Sequence, residues 1–231
     1  MISNGIIYEK GKLTDLDTFR DNLQQSGISK DQLIGLFGGR FMPFHNGHNK
    51  TLDDLTYHFD RVHIGIVNPD PWDTKLVGER YTLDKNFLTY NERNEMINAA
   101  VDKLCKTFGN VRTIDVSIAP YYPHHVYGDE KFWRFTPGDP ERVIHHIAVR
   151  DDFDRKKKER AIESKRTFVQ VPLVYDDENK PYGATMIRKL MVAGIESWRD
   201  MMPDFTADVI DRYNIVERLK DLTADERRKK E

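Results

Sequence analysis

Cysteine is almost missing. Cys105 is the one cysteine in 231 residues, which excludes an internal disulfide and a cysteine-based zinc site and leads to the expectation of a reducing, intracellular compartment. An excess of one charge is missing too, since 36 lysines and arginines meet 38 aspartates and glutamates for a formal net charge of -2. A chain without a global basic excess does not read as a non-specific nucleic-acid binder. No apolar run approaches the roughly 18 residues of a membrane span, and no secretory segment stands near the start. The expectation is a cytoplasmic protein with neither nucleic acid nor membrane as partner. With 39% hydrophobic residues, the chain can bury one α/β core with additions.

The most informative stretch is Leu33 to His48, LIGLFGGRFMPFHNGH. Leu33 to Phe37 reads as a short buried strand that breaks on Gly38 and Gly39, after which Arg40, His45 and His48 share one loop. Paired glycines let backbone approach a ligand closely, and the side chains that follow suit an anion. Asn49 to Phe59 then places Leu52, Leu55 and Phe59 on one helical face, so the loop feeds a helix whose amino-terminal dipole favours negative charge.

The rest of the chain alternates strands and helices. A short strand at Ile6 to Tyr8 and a helix at Leu16 to Gln25 are expected within an extension, residues 1–32. Further strands are expected at Arg61 to Val67, Val111 to Ala119, Val143 to Val149 and Phe168 to Val174. A helix capped by Thr89 starts at Tyr90, and a charged surface helix covers Asp151 to Lys165. Long irregular insertions follow Asn68 and Pro120, the second rich in aromatic rings. About five strands in this arrangement predict a Rossmann-like, doubly wound parallel sheet with a helical carboxyl-terminal end. The main domain is assigned residues 33–222, and residues 223–231 a charged tail.

Tyr182 to Met191, YGATMIRKLM, is the second informative stretch. It sets Thr185 near a helix start and Arg188 one turn later, where a hydroxyl and a guanidinium can both face an anion. Each motif has a plainer reading. His45 and His48 would also serve as a loop pair capping the next helix, or as a zinc pair short of a third ligand. Thr185 and Arg188 would also serve as a cap and a surface arginine. His124-His125 and His145-His146 point apart on a strand and complete no metal pattern. Trp198 and Cys105 read as core.

Arg40 to His48 resembles the GRFxPFHxGH signature of the HxGH nucleotidyltransferases. Asn86 to Ile97 is similar to the family's NPFTxxER segment, Tyr182 to Arg188 to its ISSTxIR motif, and Glu196 to Pro203 to a tryptophan-arginine pair before a proline. Together these are closest to the archaeal-type nicotinamide mononucleotide (NMN) adenylyltransferases. Gly183 and Ala184 replace two serines, and Phe87 and Leu88 replace the proline and phenylalanine of NPFT.

The resemblance implies transfer of AMP from ATP to NMN, giving NAD and pyrophosphate, with Mg²⁺ carried by the phosphates and no protein metal ligands assigned. It implies His45, His48 and Arg188 as catalytic residues. Gly38, Gly39, Arg40, Phe41, Gly183 and Thr185 join these three in binding ATP, while Asn68, Trp72, Arg93 and Trp133 are candidates for the acceptor. A homo-oligomer is also implied. Two alternatives stay open: the same chemistry on phosphopantetheine or on a sugar or alcohol phosphate with CTP, and a catalytically silent nucleotide-binding regulator.

Overall fold

A computed structural model of the chain describes residues 32–67, 82–108, 115–121, 142–148, 168–171 and 183–229, together with residues 152, 155 and 159. The expected elements within residues 1–31, the loop with Asn68 and Trp72, and the aromatic segment with Trp133 and His124-His125 lie outside them. The chain divides into two compact units.

The first unit is built on five parallel strands. Ile34–Gly39 (β1), Arg61–Val67 (β2), Asp115–Tyr121 (β3), Val143–Ala148 (β4) and Phe168–Val171 (β5) pair in the order β3-β2-β1-β4-β5. This is the doubly wound sheet expected from the sequence, with its topological switch between β1 and β4. Ile34, Leu36 and Phe37 in β1 and Val62, Ile64 and Ile66 in β2 are buried, as suits strands covered on both faces.

Helix α1, Asn46–His58, contributes fully buried Leu52 and Leu55, followed by Phe59. It packs tightly over Gly35, where a Cβ would stand 2.9 Å from the Phe59 ring and 3.2 Å from Leu55. Glycine is therefore required there by space.

Three boundaries differ from the sequence reading. Gly38 and Gly39 do not end β1; they are its last two residues, paired with Gly65 and Ile66 of β2, because sheet pairing overrides a local breaker. Helix α1 begins three residues earlier than expected and takes in His48. β3 continues through Pro120, which an edge strand accepts because one side of it needs no N–H donor. Cys105 is exposed rather than part of the core. Asp152, Arg155 and Glu159 are helical and exposed, and Arg155 pairs with Asp152.

His145 and His146 occupy adjacent positions in β4 and are both buried. The Phe59 ring meets His146 edge-on at 5.3 Å. Burial pushes the His146 imidazole down to about 3 from its ordinary 6.5; the nearby backbone at Leu36 and Ile144 opposes the shift and His58 adds to it. Because the folded-state value is lowered, the unfolded chain takes up this proton first. The stabilisation is complete above about 6.5 and is lost as pH falls from there toward 3, on the order of a few kcal/mol in all. Thermal unfolding of His146→Leu between pH 7 and 4 is expected to give a shallower fall in midpoint than the parent. Parallel curves for the two proteins refute the assignment.

The second unit holds the segment that leaves β1, residues 40–49, with residues 82–106 and 183–229. Its elements are a 3-10 turn at Leu83–Lys85, helix α2 from Tyr90 (Tyr90–Phe108), helix α3 (Ala184–Ala193), a 3-10 segment at Glu196–Met201, and helices α4 (Asp204–Arg212) and α5 (Ile215–Arg228). α5 packs against α3, α4 and the Leu83–Lys85 turn. Phe87, Leu88, Met96, Ile97, Ile187, Met191, Trp198, Ile210 and Leu219 form a buried core.

The first turn of α2 is a capping box: the Thr89 N–H donates to Glu92 Oε2 at 2.8 Å and the Glu92 N–H to Thr89 Oγ1 at 3.3 Å. α3 ends at Gly194, whose φ of 69° needs glycine, while the Ile195 N–H bonds the Leu190 carbonyl. No helix among the described residues is long and apolar enough to cross a membrane.

Candidate functional site

β1 hands the chain to Arg40 at the sheet's switch point. The next residue, Phe41, has a φ of 51°. A left-handed bulky residue costs about 1–2 kcal/mol and persists only where its surroundings over-determine it. Phe41, Met42 and Phe44 are buried, and the rings of Phe41 and Phe44 lie 5.0 Å and 5.6 Å from that of His48. His45 stacks on His48 with centroids 3.7 Å apart. The motif's aromatic residues thus form the seat of its histidines.

The earlier start of α1 changes what those histidines are. The His45 carbonyl accepts the Asn49 N–H at 3.0 Å, so His45 is the residue before the helix and His48 sits in its first turn. The His45 N–H donates to His48 Nδ1 at 3.3 Å, the position a glutamate takes in a capping box. Capping and ligand binding were alternatives in the sequence; the geometry accommodates both. With Nδ1 as acceptor, the imidazole carries its proton on Nε2, where it can be donated. The remaining N–H groups of the first turn add to a site for negative charge.

Gly183 precedes α3 in extended conformation, and Thr185 is the helix's second residue. The Arg188 guanidinium donates from Nη2 to Thr185 Oγ1 at 3.2 Å and from Nη1 to the Met42 carbonyl at 3.0 Å. The two motifs, 146 residues apart, are therefore joined directly. Because the Thr185 oxygen accepts from Arg188, its own hydroxyl proton points elsewhere.

Arg93 has no exposed surface. Its Nε donates to the Thr89 carbonyl at 3.2 Å and its Nη1 to the Arg40 carbonyl at 3.1 Å. Burial pushes Arg188 down to about 10, and the positive charge of Arg40 acts in the same direction while Asp84 offsets it. Burial pushes Arg93 down to about 10 as well, with Tyr90 and Glu92 opposing and Arg40 reinforcing. Both guanidiniums stay charged at neutral pH. The charge of Arg40 thus bears on both buried guanidiniums, an excess of positive charge that an anion would relieve.

Sequence reasoning missed Glu92 and Arg218. Arg218 of α5 donates two hydrogen bonds to the Glu92 carboxylate, at 2.9 and 2.7 Å. Burial alone would raise the Glu92 carboxyl, but this pairing and the Thr89 N–H hold it below its ordinary range. The T-x-x-E spacing of a capping box was there to be read; the partner in α5 was not. Arg199, of the tryptophan-arginine pair, lies 4.2 Å from the Trp198 ring and grips both oxygens of Asp211. Asn68, Trp72 and Trp133 are outside the described residues.

Residues 36–190 match the cytidylyltransferase-like family. The chain is 29% identical to the nicotinamide-nucleotide adenylyltransferase of Methanothrix thermoacetophila over 82% of its own length and 95% of the relative's. It is 25% identical to the phosphonoformate cytidylyltransferase of Streptomyces viridochromogenes, over 84% of this chain and all of that one. Among solved structures, a bifunctional NMN adenylyltransferase/ADP ribose pyrophosphatase from Francisella tularensis superposes with a TM-score of 0.50 at 16% identity. That match covers 81% of this chain and 52% of that one, and speaks to the fold.

Proposed function

The chain belongs to the cytidylyltransferase-like family, and from that premise we propose that it is an NMN adenylyltransferase, moving AMP from ATP to NMN with release of pyrophosphate. The observation that carries this reading is the Arg188 bond to the Met42 carbonyl, which brings the two phosphate motifs into one cluster. Several relatives bearing the adenylyltransferase name support the substrate pair.

In the reaction, a phosphate oxygen of NMN attacks the α-phosphorus of ATP in line, a new P–O bond forms, and the bond to the pyrophosphate oxygen breaks. Positioning and charge stabilisation do most of such work. Arg40, Arg188 and the Thr185 hydroxyl hold the triphosphate. His48, through Nε2–H, and His45 meet the negative charge that grows on the leaving oxygen. Gly38, Gly39, Phe41 and Gly183 shape the backbone around it. Asn68, Trp72 and Trp133 are proposed to contact the acceptor.

Magnesium fits as an ion carried on the phosphates, since it keeps several waters and binds mainly through substrate oxygens. Among the described residues no group of three or more His, Cys, Asp or Glu offers a cage, and no step is assigned to it. A cytoplasmic location and a homo-oligomeric state belong to the same proposal.

The cytidylyltransferase relative favours a second reading, the same displacement from CTP onto another acceptor. Purified protein with Mg²⁺ is expected to form NAD and pyrophosphate from ATP and NMN, and little product from CTP. Pyrophosphate release from CTP with a phosphonate or phosphate acceptor, and none with NMN, supports the second reading instead. Nucleotide binding without any turnover supports a regulator.

A further inference from the structure

Arg93 is a buried cation to which the reaction gives no step. Its guanidinium is spread between two backbone carbonyls: that of Thr89, at the start of its own helix, and that of Arg40 in the phosphate loop. The Arg40 carbonyl belongs to the peptide that sets φ at Phe41, the left-handed residue. Two residues on, the Met42 carbonyl is held by Arg188. A guanidinium therefore grips the backbone on each side of the strained residue.

Arg93 is itself anchored. Thr89 forms the capping box with Glu92, and Glu92 takes the fork of Arg218 from α5. Planar, multidentate donors of this kind carry geometric specificity that a single ammonium lacks.

We infer that Arg93 is a positioning residue that holds the phosphate loop in its left-handed turn, backed by the Thr89–Glu92–Arg218 chain. The inference rests on the proposed use of that loop for nucleotide phosphates. It differs from an acceptor contact in one measurable way. A residue that shapes the loop affects ATP binding when no acceptor is present; a residue that touches the acceptor does not.

The test measures Mg·ATP affinity by calorimetry without acceptor, then kcat and KM for ATP and NMN, on three folded variants. Arg93→Met keeps volume but removes every donor. Arg93→Lys keeps the charge but cannot span both carbonyls. Arg212→Met breaks a pair with Glu95 on the same helix, away from the loop.

Arg93→Met is expected to weaken ATP about tenfold or more and to lower kcat, the scale of a misplaced binding loop. Arg93→Lys should fall between it and the parent, and Arg212→Met should match the parent. ATP affinity within about twofold of the parent in Arg93→Met, or in Arg93→Lys if the first variant does not fold, overturns the inference. So does a loss confined to the KM for NMN. A parent that binds ATP but makes no NAD refutes the acceptor and leaves the affinity comparison decisive; a parent that binds no Mg·ATP overturns both.

Discussion

His48→Ala is expected to lower kcat by about 10²-fold or more while the KM for ATP changes little, the usual scale for a lost donor to developing charge. The imidazole is committed at one end: Nδ1 accepts the His45 N–H, leaving Nε2–H as the donor. Two amide replacements separate the ends. Glutamine sets its terminal nitrogen near the place of Nε2, and asparagine sets its own near Nδ1. His48→Gln should therefore keep more activity than His48→Asn. Steady-state NAD formation gives the ranking, and the reverse order would refute Nε2 as the donor that matters. Unchanged kcat in His48→Ala removes the residue from the chemistry altogether.

Arg188→Met has the largest expected effect, a fall in kcat/KM for ATP of about 10³-fold. Hydrogen bonds to charged groups contribute about 1.5–3 kcal/mol each. This change removes the bond to Met42, the one that orients Thr185, and the cation proposed to face the phosphates. Arg188→Lys restores charge without the fork, so only part of the loss should return. Thr185→Val should cost about tenfold, as expected for one hydroxyl. Because Arg188 orients that hydroxyl, the double variant should lose less than the two single losses multiplied together. Strict multiplicativity in the same assay would refute the coupling.

Much of the fold could be read before the structure because its signals are local. The apolar runs of β1 and β2 needed only hydrophobic pattern, and Leu52, Leu55 and Phe59 only helical period. The two stretches proposed to bind anions were visible as residue types at fixed spacing. Other features depend on contacts between distant segments. Gly38 looks like a breaker until Gly65 pairs with it, and Pro120 looks like an end until it falls on an edge strand. Nothing in Arg40-Phe41-Met42 announces a positive φ, since no glycine marks it; two guanidiniums, from 53 and 146 residues away, hold the carbonyls around it. The charge of Arg93 was legible in the sequence and its burial was not.

The Arg188–Met42 and Arg218–Glu92 bonds span 146 and 126 residues. Contacts this far apart along the chain are entropically late, since a large loop must close before either bond rewards it. During synthesis the loop at Arg40 to Met42 emerges before the helices whose arginines hold its carbonyl groups. A nascent chain thus carries the motif before it carries the contacts that give the motif its shape.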